Sequence, residues 1–264
     1  MIKWRGLGYR QRFMLASLLL SLMLGFGFGI NEFYYRLWYV VVLLGLTAGA
    51  YGVIFKDRVS SIGVWLGMVL SFYLLSGSLL FELLLPKGIW SLRVILMLVV
   101  VIMVYASFLA SNIFLVSVQR TIKLYQAALG ISLFLVIVAV FLVMDAVLAF
   151  RFMPWINMVL GFLLVLPVSV YLIWMVDLSE GFKKKYLYYG LILALLVSEG
   201  MLVISFWPTP ITIKAIFIAS LLYALGGLYQ AHFLEKVFKQ TEQEFWWLMI
   251  VVFISVLLVT RWGG

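Results

Sequence analysis

The 264-residue sequence has no cysteine, a single histidine and five prolines, and only 11% of its residues are charged. Without cysteine there is no disulfide, thiolate metal site or thiol nucleophile. With one histidine, His232, no site can use two imidazoles, which excludes the His-rich zinc and haem arrangements. The scarcity of charge, set against 66% apolar residues, excludes a water-soluble single domain, for which about 25% charged and 45–50% apolar residues are usual. No fold of this length hides that much apolar surface from water.

What the chain does have is long apolar runs. A helix needs about 20 mainly apolar residues to cross roughly 30 Å of hydrocarbon. Nine stretches qualify: 13–30, 37–55, 62–85, 91–118, 125–150, 155–176, 187–207, 211–233 and 245–261. Barrel strands alternate polar and apolar residues over about 10 positions, and these runs do not alternate. The expected fold is therefore an all-α, polytopic transmembrane bundle, read as one domain over 1–264 because no linker of low complexity interrupts it. The first run follows Lys3, Arg5, Arg10 and Arg12 as a secretory signal would, but it lacks a small-x-small cleavage pattern. It is expected to be a retained anchor.

Charge orients the bundle. With the N-terminus inside, 13 of the 19 Lys and Arg residues fall on the cytoplasmic side, among them the run Lys183, Lys184 and Lys185. The positive-inside rule then gives N-in and C-out. Trp38, Trp90, Trp155 and Trp207 mark outer ends of spans, and Trp246 and Trp247 an inner end, as an aromatic belt requires. The net charge of +9 is accounted for by topology and by attraction to anionic lipid at the cytoplasmic face, with no role for nucleic acid.

The informative polar residues are acids inside spans. Glu82 lies about 6 Å below Pro86, Asp145 about 9 Å below Arg151, and Glu199 about 12 Å below Trp207, at 1.5 Å per residue. A charge at a helix centre costs about 2.5–3.5 kcal/mol on insertion scales, so these three are expected to face the bundle interior or an outward-open, wet cavity. Each outer turn carries an acid and then a base: Glu32 with Arg36, Glu82 with Lys87 and Arg93, Asp145 with Arg151, and Glu199 with Lys214. One reading makes these ion pairs that close short turns and fix helix register. The other makes Glu199, Asp145, Glu82, Arg93, Arg151 and Lys214 a polar site for a substrate, a proton or a cation.

Smaller features fit packing. Pro167 lies inside the sixth span and is expected to kink it. Gly45, Gly49 and Gly52, like Ser76, Gly77 and Ser78, form small-residue faces for close helix contact. A serine protease built on Ser76 or Ser78 fails, because His232 falls at the opposite end of its own span. No Walker motif, nucleotide fingerprint, paired-Asp cation motif or HExxH is present, and no metal or cofactor is expected.

Several segments resemble an uncharacterised family of multi-pass bacterial membrane proteins, a domain of unknown function. They are Ser111-Asn112-Ile113-Phe114, Gln119-Arg120-Thr121-Ile122-Lys123, Ala127-Ala128, Asp145, Trp155, Glu199, Trp207-Pro208 and Phe238-Lys239-Gln240-Thr241. The resemblance implies a bacterial inner-membrane setting and supplies no activity.

Three functions remain open at this point. The first is a non-enzymatic protein that binds or passes a substrate through an outward-facing polar cavity lined by intramembrane carboxylates, with Glu199 as its main ionisable group. The second is an assembly or scaffold subunit whose helices present a face to a membrane-protein partner. The third is an enzyme on a lipid-linked substrate with Glu199 or Asp145 as general base. The topology is testable by itself. Cysteines introduced at Lys184 and Gly264 into this cysteine-free chain are expected to react with an impermeant reagent from opposite sides of the membrane. Labelling of both from one side would refute the odd number of crossings.

Overall fold

A computed structural model describes residues 8–56, 61–86, 89–118, 123–179, 181–233 and 239–260, without the side chains of 239–242. The described residues form nine helices and no strand: α1 Tyr9–Phe28, α2 Phe33–Ile54, α3 Ile62–Phe81, α4 Trp90–Ser117, α5 Tyr125–Ala149, α6 Pro154–Val176, α7 Lys184–Ser205, α8 Ile211–Phe233 and α9 Lys239–Val259. A short 3-10 turn, Glu82–Leu84, extends α3. Eight helices are long and apolar enough to cross a membrane, and the apolar part of α9, Gln243–Val259, is shorter. The chain is a multi-pass membrane protein built as a polytopic helical bundle.

Helix bounds agree with the apolar runs to within a few residues, and the differences have a cause. Helices α1, α7 and α9 start before their apolar runs, in polar turns such as Lys184-Lys185. Hydropathy marks where lipid begins, whereas the backbone keeps its hydrogen bonds into the polar layer. Helix α6 begins with Pro154, whose fixed φ suits a first helical position, and runs on through Pro167.

The helices group into two compact units, Met1–Leu135 and Val136–Gly264, with the boundary inside α5. In the first unit, α1 touches α2, α3 and α4. Its buried residues Phe13, Ala16, Ser17, Leu20, Leu24 and Phe28 recur every three or four positions, which puts them on one face. Phe13 stacks on Phe108 at 6.1 Å, and Phe108 on Tyr51 at 4.8 Å. The Tyr51 hydroxyl lies 2.8 Å from Ser71 Oγ and donates to the Gly67 carbonyl at 3.0 Å, while Ser71 and Ser107 are 2.6 Å apart. Hydroxyls thus satisfy one another within the apolar bundle, where no water is at hand.

In the second unit α6 and α7 form the tightest pair. Small residues allow it. A Cβ on Gly190 would lie 3.2 Å from the Val170 backbone nitrogen and 3.3 Å from its Cα, and one on Gly161 would meet Met201 Sδ at 2.5 Å. Gly200 makes room for Leu221 of α8, and Gly227 for Phe245 of α9. Gly45, Gly49 and Gly52 behave otherwise: a Cβ on any of them meets nothing within 4 Å. Gly45 and Gly49 line an apolar groove of about 410 Å³ between α1 and α2, with Ala16, Leu20 and Met23. The expected close contact at these three glycines is corrected to open space.

The two kinds of glycine are expected to respond oppositely to alanine. Gly190→Ala forces the α6 backbone away and lowers the thermal midpoint of the detergent-solubilised protein, an overpacking cost of about 1–3 kcal/mol. Gly49→Ala leaves the midpoint unchanged or raises it, because it adds helix propensity without a clash. Tryptophan fluorescence during heating reads both.

Candidate functional site

The first unit gathers charge at the outer ends of its helices. The Glu82 carboxylate takes one arginine on each oxygen: Arg36 Nη1 at 2.7 Å on Oε2 and Arg93 Nε at 2.7 Å on Oε1. The side chains of Arg36 and Glu82 are each 2% exposed, whereas that of Arg93 is 30% exposed. Arg36 does more than pair. Its Nε and Nη2 donate to the Ile30 carbonyl at 2.9 and 2.7 Å, and Nη1 to the Leu79 carbonyl at 3.0 Å. Nη2 also reaches the Phe28 carbonyl at 3.4 Å. These carbonyls lie at or beyond the C-terminal ends of α1 and α3, where a helix leaves acceptors without partners. One guanidinium therefore caps two helices and holds an acid against them.

This corrects the expected pairing of Arg36 with Glu32. Glu32 sits at the N-cap of α2 with no side-chain cap hydrogen bond and forms no ion pair among the described residues. Lys87, expected beside Glu82, lies outside the described residues, as does 119–122. Proximity in sequence favoured the wrong acid. Arg36 points back across the bundle because the unsatisfied carbonyls lie there.

The second unit arranges its charges differently. Asp145 of α5 is 2% exposed, hydrogen-bonds the Thr212 side chain and leaves Oδ1 without a partner. It forms no ion pair with Arg151, which corrects that expected pair. Arg151 follows α5 with φ 51°, a left-handed conformation that suits glycine, and its N–H donates to the Leu148 carbonyl at 3.1 Å. Arg151 is exposed and lines a pocket at this end of the helix.

That pocket, of about 360 Å³, is formed by the outer ends of α5 to α8. Arg151 and Lys214 bring two cations to its wall; Asn157, Ser205 and Thr209 supply polar groups; Phe152, Trp207, Pro208 and Pro210 supply the apolar part. No acid lines it among the described residues. Lys214 Nζ donates to the Ser205 carbonyl at 3.3 Å. Asn157 donates to Ser205 Oγ at 3.2 Å and leaves its buried Oδ1 unpartnered, as Thr209 does its Oγ1. Both α6 and α8 begin at this pocket, so the free N–H groups and positive dipole ends of two helices add to the two side-chain charges.

Glu199 is elsewhere. It is exposed on α7, together with Leu195, Leu196 and Val203, and its side chain forms no hydrogen bond or ion pair among the described residues. The expectation that it faces the interior or a wet cavity, near Lys214, is corrected. The inward stripe of α7 is Tyr186, Gly190, Leu193, Val197, Met201 and Ile204, and helical geometry turns position 199 to the opposite face. Depth was readable from the hydropathy, but orientation was set by glycines whose role only packing reveals. Of the six candidate residues, the structure joins Glu82 with Arg93 in one unit and Arg151 with Lys214 in the other.

At the inner end of α6, Asp177 receives Lys185 Nζ at 2.5 Å and Lys183 Nζ at 3.1 Å. Partial burial opposes its charge, but hydrogen bonds from Lys185 and Lys183 outweigh this and hold the carboxyl below its ordinary range. Two lysines of the run are thus committed to the protein, and Lys184 is exposed.

The arginine network yields a stability test. Arg36→Ala and Glu82→Gln are each expected to cost about 3–5 kcal/mol: the first leaves one buried Glu82 oxygen and the α1 and α3 carbonyls unserved, and the second leaves the buried Arg36 without its counter-charge. Arg36→Lys does not rescue, since an ammonium cannot serve the carboxylate and two helix ends at once. Arg93→Gln costs less, and Glu32→Gln nothing measurable. Unfolding midpoints in detergent rank the five. Against family models, curated proteins and solved structures, the chain shows no match to any.

Proposed function

We propose that this is a bacterial inner-membrane protein that binds an anionic substrate from the outward side, in the pocket of the second unit, as a receiving or transporting site. The observation that carries this reading is the juxtaposition of Arg151 and Lys214 on a pocket wall that holds no acid. Two uncompensated cations at the edge of a low-dielectric layer are costly by themselves and gain when an anion joins them. Arg151 offers a planar fork suited to the oxygens of a carboxylate, sulfate or phosphoryl group, and Lys214 a compact point charge. Asn157, Ser205 and the first N–H groups of α8 supply the neutral donors such a group needs. Trp207 and Phe152 give the apolar remainder of a substrate a surface to lie on. The bacterial setting follows from the resemblance of the sequence segments.

The carboxylates thought to line the site have other surroundings. Glu82 pairs with two arginines, Asp145 is buried against Thr212, and Glu199 is exposed on α7. The chemistry of the pocket is therefore cationic, which selects the opposite class of substrate from a carboxylate-lined cavity.

Sulfate is a suitable probe because it does not titrate near neutrality. The purified protein in detergent is expected to bind sulfate saturably by calorimetry, with binding weakened by added salt. Arg151→Gln and Lys214→Gln are each expected to weaken it about tenfold, the value of one charge-assisted hydrogen bond. Absence of saturable binding of both sulfate and inorganic phosphate would overturn the proposal.

A further inference from the structure

We infer that the exposed face of α7 docks a membrane-spanning helix of a different protein, one that presents a lysine or arginine to Glu199. The face is a continuous stripe of Tyr188, Leu191, Leu195, Glu199 and Val203, with Phe206 just past the helix end, all exposed, at steps of three or four residues. That spacing is the seam along which two helices pack side by side. Apolar residues in such a seam are equally content in lipid and say nothing about a partner. The carboxylate does.

Glu199 lies six residues before the end of α7 at Ser205, about 9 Å along the axis. Its side chain is too short to carry the charge from there to the aqueous layer. Acids in membrane spans pair with bases or face water-filled space. Glu199 does neither among the described residues: it has no hydrogen bond or ion pair, and it does not line the anion pocket. No described residue supplies the positive or hydrogen-bonding group that an acid at the depth of Glu199 calls for.

A second copy of this chain does not supply it. Two copies meeting along the same stripe would bring Glu199 against Glu199. Among the described outer-half bases, Arg36 and Arg93 are held by Glu82, and Arg151 and Lys214 stand at the pocket, which Glu199 does not line. Charge complementarity thus points to a heterologous helix, with the flanking leucines and Val203 giving the apolar contact. This inference does not depend on anion binding.

The test uses the full-length protein in lipid nanodiscs and synthetic transmembrane peptides as probes. One peptide is polyleucine, and the other carries a single arginine about 9 Å below the outer interface. Energy transfer from labelled protein to labelled peptide is expected to show the arginine peptide binding about fivefold tighter than its all-leucine parent. Glu199→Leu is expected to abolish that preference while the thermal midpoint of the detergent-solubilised protein is kept, which shows that the variant is folded. Equal binding of the two peptides would overturn the inference, and so would a preference that survives Glu199→Leu. Self-association of labelled copies that requires Glu199 would overturn it in favour of a homomeric contact.

Discussion

Within hydrocarbon the ends of helices are the most expensive parts of the backbone, because their last carbonyls have no intrahelical donor and no water to replace it. The first unit meets this constraint with one side chain. Arg36 places its guanidinium where the ends of α1 and α3 converge and donates to Phe28, Ile30 and Leu79 carbonyls together. The Glu82 carboxylate pairs with this charge through one oxygen, and with Arg93 of α4 through the other. Helices α1 to α4 are fixed at their outer ends by this chain of contacts. The aromatic cluster of Phe13, Tyr51 and Phe108 fixes them elsewhere along their length.

The second unit spends its outer charges in another way. Arg151 and Lys214 are not matched by an acid, although Asp145 lies within a few residues of Arg151 in sequence. Asp145 is instead turned toward Thr212. Similar acid–base pairs in the two halves of the sequence thus become a closed ionic lock in one unit and an open cationic pocket in the other. The difference arises from the turns. After α3 the helix tightens into a 3-10 turn that carries Glu82 inward, whereas after α5 the left-handed residue is Arg151 itself.

Hydropathy made the helices legible because the membrane imposes their length and leaves no room for alternatives. The depth of Glu82, Asp145 and Glu199 was equally legible, since it is only a count along an axis. Their partners were not. A count cannot tell which face of α7 is inward, and the residues that decide it, Gly190 against Val170 and Met201 against Gly161, act through shape. The glycines at 45 and 49 look the same in sequence and open onto a groove instead. Likewise the pull of the α1 and α3 carbonyls on Arg36 exists only once three helix ends are brought together.

The backbone at Arg151 has a consequence for how this molecule can vary. A side chain with φ 51° carries a steric penalty of about 1–2 kcal/mol that glycine would not bear. The turn after α5 would fold more readily with glycine, yet only a long cation at that spot can reach the pocket. Under the proposed anion capture, foldability and binding are opposed at a single residue, and a lineage without the ligand would gain stability by giving up the arginine.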